Sequence, residues 1–174
     1  MIQRKIAVLT ARADDHTQMD IICGVVKAAF SENTDVVVFT NIHNHWIKDE
    51  VLNFENFIYD FFDPKEFDGV IVTAEAFMDT SMFSSIYERV RAAKIPAVVI
   101  GGDIDGFESM HCDEEQDMEK LCEHLITVHN ITDIDILTGP EGNVVSHRRV
   151  SGFKKAFEKH GIPFNENKVY FGTF

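Results

Sequence analysis

Residues 134–153 read I-D-I-L-T-G-P-E-G-N-V-V-S-H-R-R-V-S-G-F. The apolar Ile134, Ile136 and Leu137 mark a buried strand, Gly139-Pro140 breaks it, and a polar loop leads into a helix. Ser146 is a suitable N-cap. Val150, Phe153 and Phe157 then recur at helical spacing on one face. A long polar loop between the C-terminal end of a strand and a helix is where open α/β sheets place ligand contacts. This loop delivers Arg148 and Arg149 to the start of the helix. Consecutive helical residues point about a quarter-turn apart, so one of the two is expected to face a crevice.

Outward from this stretch the chain alternates regularly. K-I-A-V-L from Lys5, D-V-V-V-F-T from Asp35, F-D-G-V-I-V-T from Phe67 and A-V-V-I from Ala97 are compact apolar runs that read as buried strands. Met19, Ile22, Val25, Val26 and Ala29 form a helical stripe between the first two. Phe54, Phe57, Ile58 and Phe61 form another, in an aromatic-rich segment. Met82, Phe83, Ile86 and Val90 form a third, and Met118, Leu121, Cys122 and Leu125 a fourth. A short strand is expected near Ser109–Cys112, and a last one at K-V-Y-F from Lys168. Strands alternating with helices predict a doubly wound α/β class with parallel pairing and right-handed crossovers.

Composition narrows the function classes. The 174 residues carry 16 basic and 29 acidic side chains, a net charge of −13. Such a chain repels phosphate backbones and shows no basic stripe, so direct nucleic-acid binding by this chain is not expected. No apolar run reaches the roughly 20 residues of a membrane span, and the N-terminus is too short for a signal-peptide core. A cytoplasmic chain without membrane contact is the expectation. Cys23, Cys112 and Cys122 form no motif and suit a reducing compartment.

The ordered set F-D-G-V-I-V, I-P-A-V-V-I-G, H-L-I-x-x-H, strand-G-P, R-x-x-G-F (Arg149, Gly152, Phe153) and G-I-P resembles the LacI/GalR-type effector-binding core, which has the periplasmic-binding-protein type I fold. The resemblance covers essentially the whole chain. It implies doubly wound parallel sheets in two lobes, with residues 1–112 as most of the first and 113–174 as the start of an incomplete second. It implies a small polar ligand, sugar-like or otherwise, held in the cleft between lobes and contacted by Arg149. No catalysis, no cofactor and no metal are implied.

Within that frame Asp15, His16, Glu75, Asp103, Asn143 and Arg149 are the candidate ligand-binding residues: the first five lie on loops at strand C-termini, and the resemblance points Arg149, at the helix start, into the cleft. Carboxylates would accept from ligand hydroxyls and an arginine would donate back. The main expectation is a sensor domain that precedes a G-G-D-E-F diguanylate cyclase, because Met1 stands just ahead of the first strand. The alternatives are a LacI/GalR effector core without its helix-turn-helix and a flavodoxin-like enzyme. The last needs a phosphate-cradling loop that T-A-R-A-D-D-H does not supply. A receiver-domain reading of Asp14-Asp15 fails for want of an aspartate at Thr73-Ala74-Glu75. Asp103-Ile104-Asp105-Gly106 lacks the ligands of a calcium loop. Cys122, His124 and His129 are set aside as a metal site, since Cys122 belongs to an apolar face. The aromatics of 54–62, and apolar surface left uncovered by an incomplete lobe, predict a homodimer.

Overall fold

The computed structural model describes residues 3–42, 52–77, 80–102 and 104–172. The chain forms two compact units, residues 1–111 and 112–174.

In the first unit β1 (Arg4–Leu9), β2 (Thr34–Phe39), β3 (Gly69–Thr73), β4 (Ala97–Ile100) and β5 (Glu108–Met110) make one parallel sheet in the order β2-β1-β3-β4-β5. The second unit holds a separate parallel pair, β6 (Ile136–Thr138) and β7 (Val169–Phe171). This is the division of strands expected from the sequence. Registers such as Ala7 with Val37 and Val70, and Leu9 with Phe39 and Val72, put one set of alternating side chains on a single face. There Ala7, Leu9, Phe39, Val70 and Val72 pack against Tyr59, Phe62, Ile86 and Val90.

Helix α2 (Thr80–Ala93) turns Ile86 and Val90 inward as its spacing predicts, with Phe83 half-buried. Met82 lies outside the residues whose side chains are described. The aromatic segment differs from expectation. Leu52–Phe61 is a 3₁₀ helix, in which residues three apart eclipse one another. The inward row is therefore Asn56, Tyr59 and Phe62. Phe54, Phe57 and Phe61 are 66%, 57% and 77% exposed, whereas Tyr59 and Phe62 are 2% and 0% exposed. Arg89 of α2 holds the end of this segment, donating to the carbonyls of Tyr59 (2.9 Å) and Phe62 with its guanidinium over the Phe62 ring. The Tyr59 carbonyl also accepts from the Phe62 amide (3.3 Å), so Arg89 adds a second bond at the helix end.

Helix α1 (His16–Ser31) also departs from its stripe. Of the expected inward set only Ala29 is buried. Ile22 and Val25 are half-buried, and Met19 and Val26 are both 44% exposed. The helix packs over β2, an edge strand, which offers too narrow a surface to cover the whole stripe. Gln18 is buried in place of the outer apolar residues, for a reason that lies in the site.

In the second unit α3 (Glu114–Thr127) and α4 (Val144–Lys159) pack on each other around Cys122, Ile126, Ile136, Val150, Phe153, Ala156 and Phe157. Leu121, expected to point inward, is exposed. Gly152 sets the helix separation. A Cβ there would stand 2.2 Å from the Glu115 carbonyl oxygen and 2.8 Å from Met118 Cβ. The ion pairs Lys155–Glu115, Lys159–Glu123 and Arg148–Glu114 line the same helix contact.

Candidate functional site

In a sheet of order β2-β1-β3-β4-β5 the chain leaves β1 in one direction and returns on its other side. The topological switch point thus lies between the C-terminal ends of β1 and β3, where such sheets bind ligands. Two threonines occupy those ends. The Thr73 hydroxyl donates to the Thr10 hydroxyl (2.7 Å), which donates to the side-chain carbonyl of Gln18 (2.8 Å). Thr10, Thr73 and Gln18 are all buried, so this relay leaves none of their linked oxygens unsatisfied in a low-dielectric interior. It also explains the buried glutamine on α1.

A second set of bonds joins this relay to the neighbouring loops. The Tyr59 hydroxyl donates to the Thr10 carbonyl (2.6 Å) and accepts from the Asn41 amide (3.3 Å). Burial pushes the Tyr59 hydroxyl well above its ordinary pKa. The side chain of Asn41 accepts from the Arg12 amide (3.0 Å) and donates to Asn56 (2.8 Å). Arg12 sits in the left-handed region at φ 55°, a conformation that costs a non-glycine residue about 1–3 kcal/mol and clusters at functional loops. Its guanidinium pairs with Asp14 at 3.2 Å.

The candidate residues fall onto this frame as follows. Asp15 is the N-cap of α1; its Oδ1 accepts from the amides of Thr17 (2.9 Å) and Gln18 (3.4 Å). His16, the first residue of that helix, is exposed. Glu75 is exposed in the turn after β3, with its side chain against Gly101 at the end of β4. The loops after β3 and β4 are therefore adjacent. Asp103 lies outside the described residues, as do His43 and His45. In the second unit Asn143, rather than Ser146, is the N-cap of α4, with Oδ1 accepting from Val145 and Ser146. Ser146 is buried inside the helix because α4 begins three residues earlier than its sequence suggests. Arg148 is half-buried and pairs with Glu114 at 3.7 Å, while Arg149 is exposed. The hydroxyl of Thr138, at the C-terminal end of β6, is buried without a hydrogen-bond partner among the described residues.

Sequence reasoning missed Thr10, Gln18, Asn41, Tyr59 and Thr73. Threonine next to a strand reads as a β-former, and only the pairing of β1 with β3 brings the two hydroxyls together. A cleft of about 460 Å³ beside Lys94, Pro96, Gly106 and Glu108 opens at the N-terminal ends of β4 and β5. It is the opposite edge from the polar relay, and binding in parallel sheets favours the latter. No group of three or more His, Cys, Asp or Glu among the described residues is placed to hold a metal. No helix among them is long and apolar enough to cross a membrane.

Comparison with known proteins agrees with this architecture. The family described as periplasmic binding proteins and sugar binding domain of LacI family matches residues 3–173. The probable HTH-type transcriptional repressor ExuR of Bacillus subtilis (strain 168) is 30% identical over 118 residues, 67% of this chain and 34% of that repressor. The transcription regulator CcpA of Lactococcus lactis superposes with a TM-score of 0.73 at 18% identity, over 99% of this chain and 59% of that one. The transcriptional regulator CelR, solved as a cellobiose complex, gives 0.71 at 17% identity, over 99% and 52%. The chain thus spans about a third of the curated relative and little more than half of the solved regulators. These relatives are transcription regulators, which lends no support to a diguanylate cyclase as the output domain. With its five-stranded sheet, its separate strand pair and a match from residue 3 to residue 173, the chain belongs to the family of periplasmic binding proteins and LacI-type sugar-binding domains.

Proposed function

We propose that this chain is the effector-binding core of a LacI-type transcription regulator, and that its effector is a sugar or similarly hydroxylated molecule. The observation that carries the reading is the family match over residues 3–173, set beside the polar edge built at the β1/β3 switch point. This favours the regulator core over a sensor joined to a diguanylate cyclase, for which the relatives offer no support. In this reading the loops after β1, β3 and β4 present Asp15, His16, Glu75 and Asp103 to ligand hydroxyls. Asn143 and Arg149, the candidates on the second unit, are proposed as ligand contacts as well. The Thr10–Thr73–Gln18 relay has a positioning role, fixing the loop that starts at Ala11. The chain itself carries no catalysis, and the whole protein, as a regulator, works in the cytoplasm as a homodimer.

Thermal-shift and calorimetric titration of the chain with a panel of neutral and acidic mono- and disaccharides, cellobiose included, tests the reading. One class of sugar should raise the melting temperature, as any ligand selective for the folded state does. Arg149→Ala should remove that response. No response to any sugar, or an undiminished response in Arg149→Ala and Asp15→Asn alike, would refute the assignment.

A further inference from the structure

Sequence spacing separates His124 from His129, but the fold joins them. His124 stands in the last turn of α3, and the chain then reverses through a turn of defined geometry. The Val128 amide donates to the His124 carbonyl (3.0 Å), Asn130 takes φ 56°, and the Ile131 amide reaches back to the Leu125 carbonyl (3.0 Å). This return from Leu125 to Ile131, with a left-handed residue at Asn130, closes the helix end as left-handed C-caps do. It folds His129 back over the helix terminus by backbone hydrogen bonds, so the pairing of the rings is built into the turn. Cys122, which the sequence places near both histidines, is buried in the core and takes no part.

The two Nε2 atoms lie 3.1 Å apart, and the ring centroids 4.9 Å apart. These two distances can be set beside two ideal arrangements. A neutral pair sharing one straight N–H···N bond would align both ring axes and place the centroids about 5.4 Å apart. Two imidazoles each about 2.05 Å from one ion, with nitrogens at the observed separation, subtend an angle of roughly 98° and place their centroids about 4.8 Å apart. The observed 4.9 Å fits the second arrangement, and a bent N–H···N bond fits it as well. The angle at the ion lies between the octahedral and tetrahedral values. The site also sits at the C-terminal end of α3, where unpaired carbonyls favour a cation, in a chain of net charge −13.

We propose that His124 and His129 form a two-histidine site for a divalent ion of the zinc, nickel and copper class, the ions that imidazole prefers. Water completes the coordination. Because one ligand is on the helix and the other beyond its cap, a bound ion clips the helix end to the chain that leaves it.

Titration of the whole chain with zinc chloride alone tests this, read by calorimetry and by melting temperature. The native chain should take up one more equivalent of zinc than either His124→Ala or His129→Ala. Each variant should lose about 100-fold in affinity at that site, the advantage a tethered second ligand confers. His160→Ala, an exposed histidine at the end of α4, should bind as the native chain does. Copper should bind more tightly than zinc at the same site. Equal zinc stoichiometry in the native chain and either variant would overturn the proposal. So would an absence of zinc uptake by the native chain at about 100-fold excess over the protein.

Discussion

Replacing Gly152 by alanine should destabilise the second unit, although alanine is the better helix former. On propensity alone the change should stabilise α4 by about 1 kcal/mol. The structure predicts the opposite sign. The new methyl group would lie 2.2 Å from the Glu115 carbonyl oxygen and 2.8 Å from Met118 Cβ, so the helices must part by roughly 1 Å to restore an ordinary C···O contact of about 3.3 Å. A gap of that size forfeits a quarter to a half of the dispersion energy of each contact it opens. Overpacking of this kind costs about 1–3 kcal/mol. Taking the upper end, because backbone as well as side chain is struck, the net loss is about 2 kcal/mol. Amide hydrogen exchange is the suitable assay, because two units need not unfold as one transition. Amides of α3 and α4 should exchange about 30-fold faster, with those of β1 and β3 unchanged. Unchanged or slower exchange in α3 and α4 would refute the packing argument and leave helix propensity as the governing effect.

Asp15→Ala should cost about 1 kcal/mol through loss of the α1 cap, whereas Asp15→Asn keeps a capping oxygen and should cost only a few tenths; denaturant melts separate the two. Arg149→Ala, at an exposed position, should shift stability by no more than about 0.5 kcal/mol while removing the sugar response. Tyr59→Phe should cost about 1–3 kcal/mol, since it removes the buried bonds to the Thr10 carbonyl and from the Asn41 amide. Because burial raises the Tyr59 pKa in the folded chain, the folded state holds this proton where the unfolded state releases it. Stability should therefore be intact below about pH 10 and fall above it, and that fall should be smaller in Tyr59→Phe. Sedimentation should show self-association that weakens when Phe54, Phe57 and Phe61 are replaced by serine; an unaltered native monomer at high concentration would count against the homodimer.

The parallel strands were legible in the sequence because each is a short apolar run bounded by polar residues, and their division between two sheets followed from the resemblance. Helical faces were legible only where helices lie fully against a sheet or another helix, as with Ile86 and Val90 or Val150 and Phe157. Over Leu52–Phe61 the 3.6-residue period is the wrong template, so it puts the wrong aromatics inside. Asn143 and Ser146 are both good caps by residue type, and only the backbone distinguishes them. The relay beneath the site was illegible because its members are 63 residues apart in the chain (Thr10 to Thr73) and meet through strand pairing alone.

The left-handed backbone of Arg12 bears on how this protein would respond to selection for heat resistance. Glycine adopts that conformation without penalty, and asparagine tolerates it better than arginine. A screen scored only on melting temperature should therefore enrich Arg12→Gly and Arg12→Asn early. Both changes delete the guanidinium that pairs with Asp14 beside the polar edge. Thermostable winners at this position would then be the chains to examine first for a weakened sugar response, since the loop would have gained comfort at the expense of its charge.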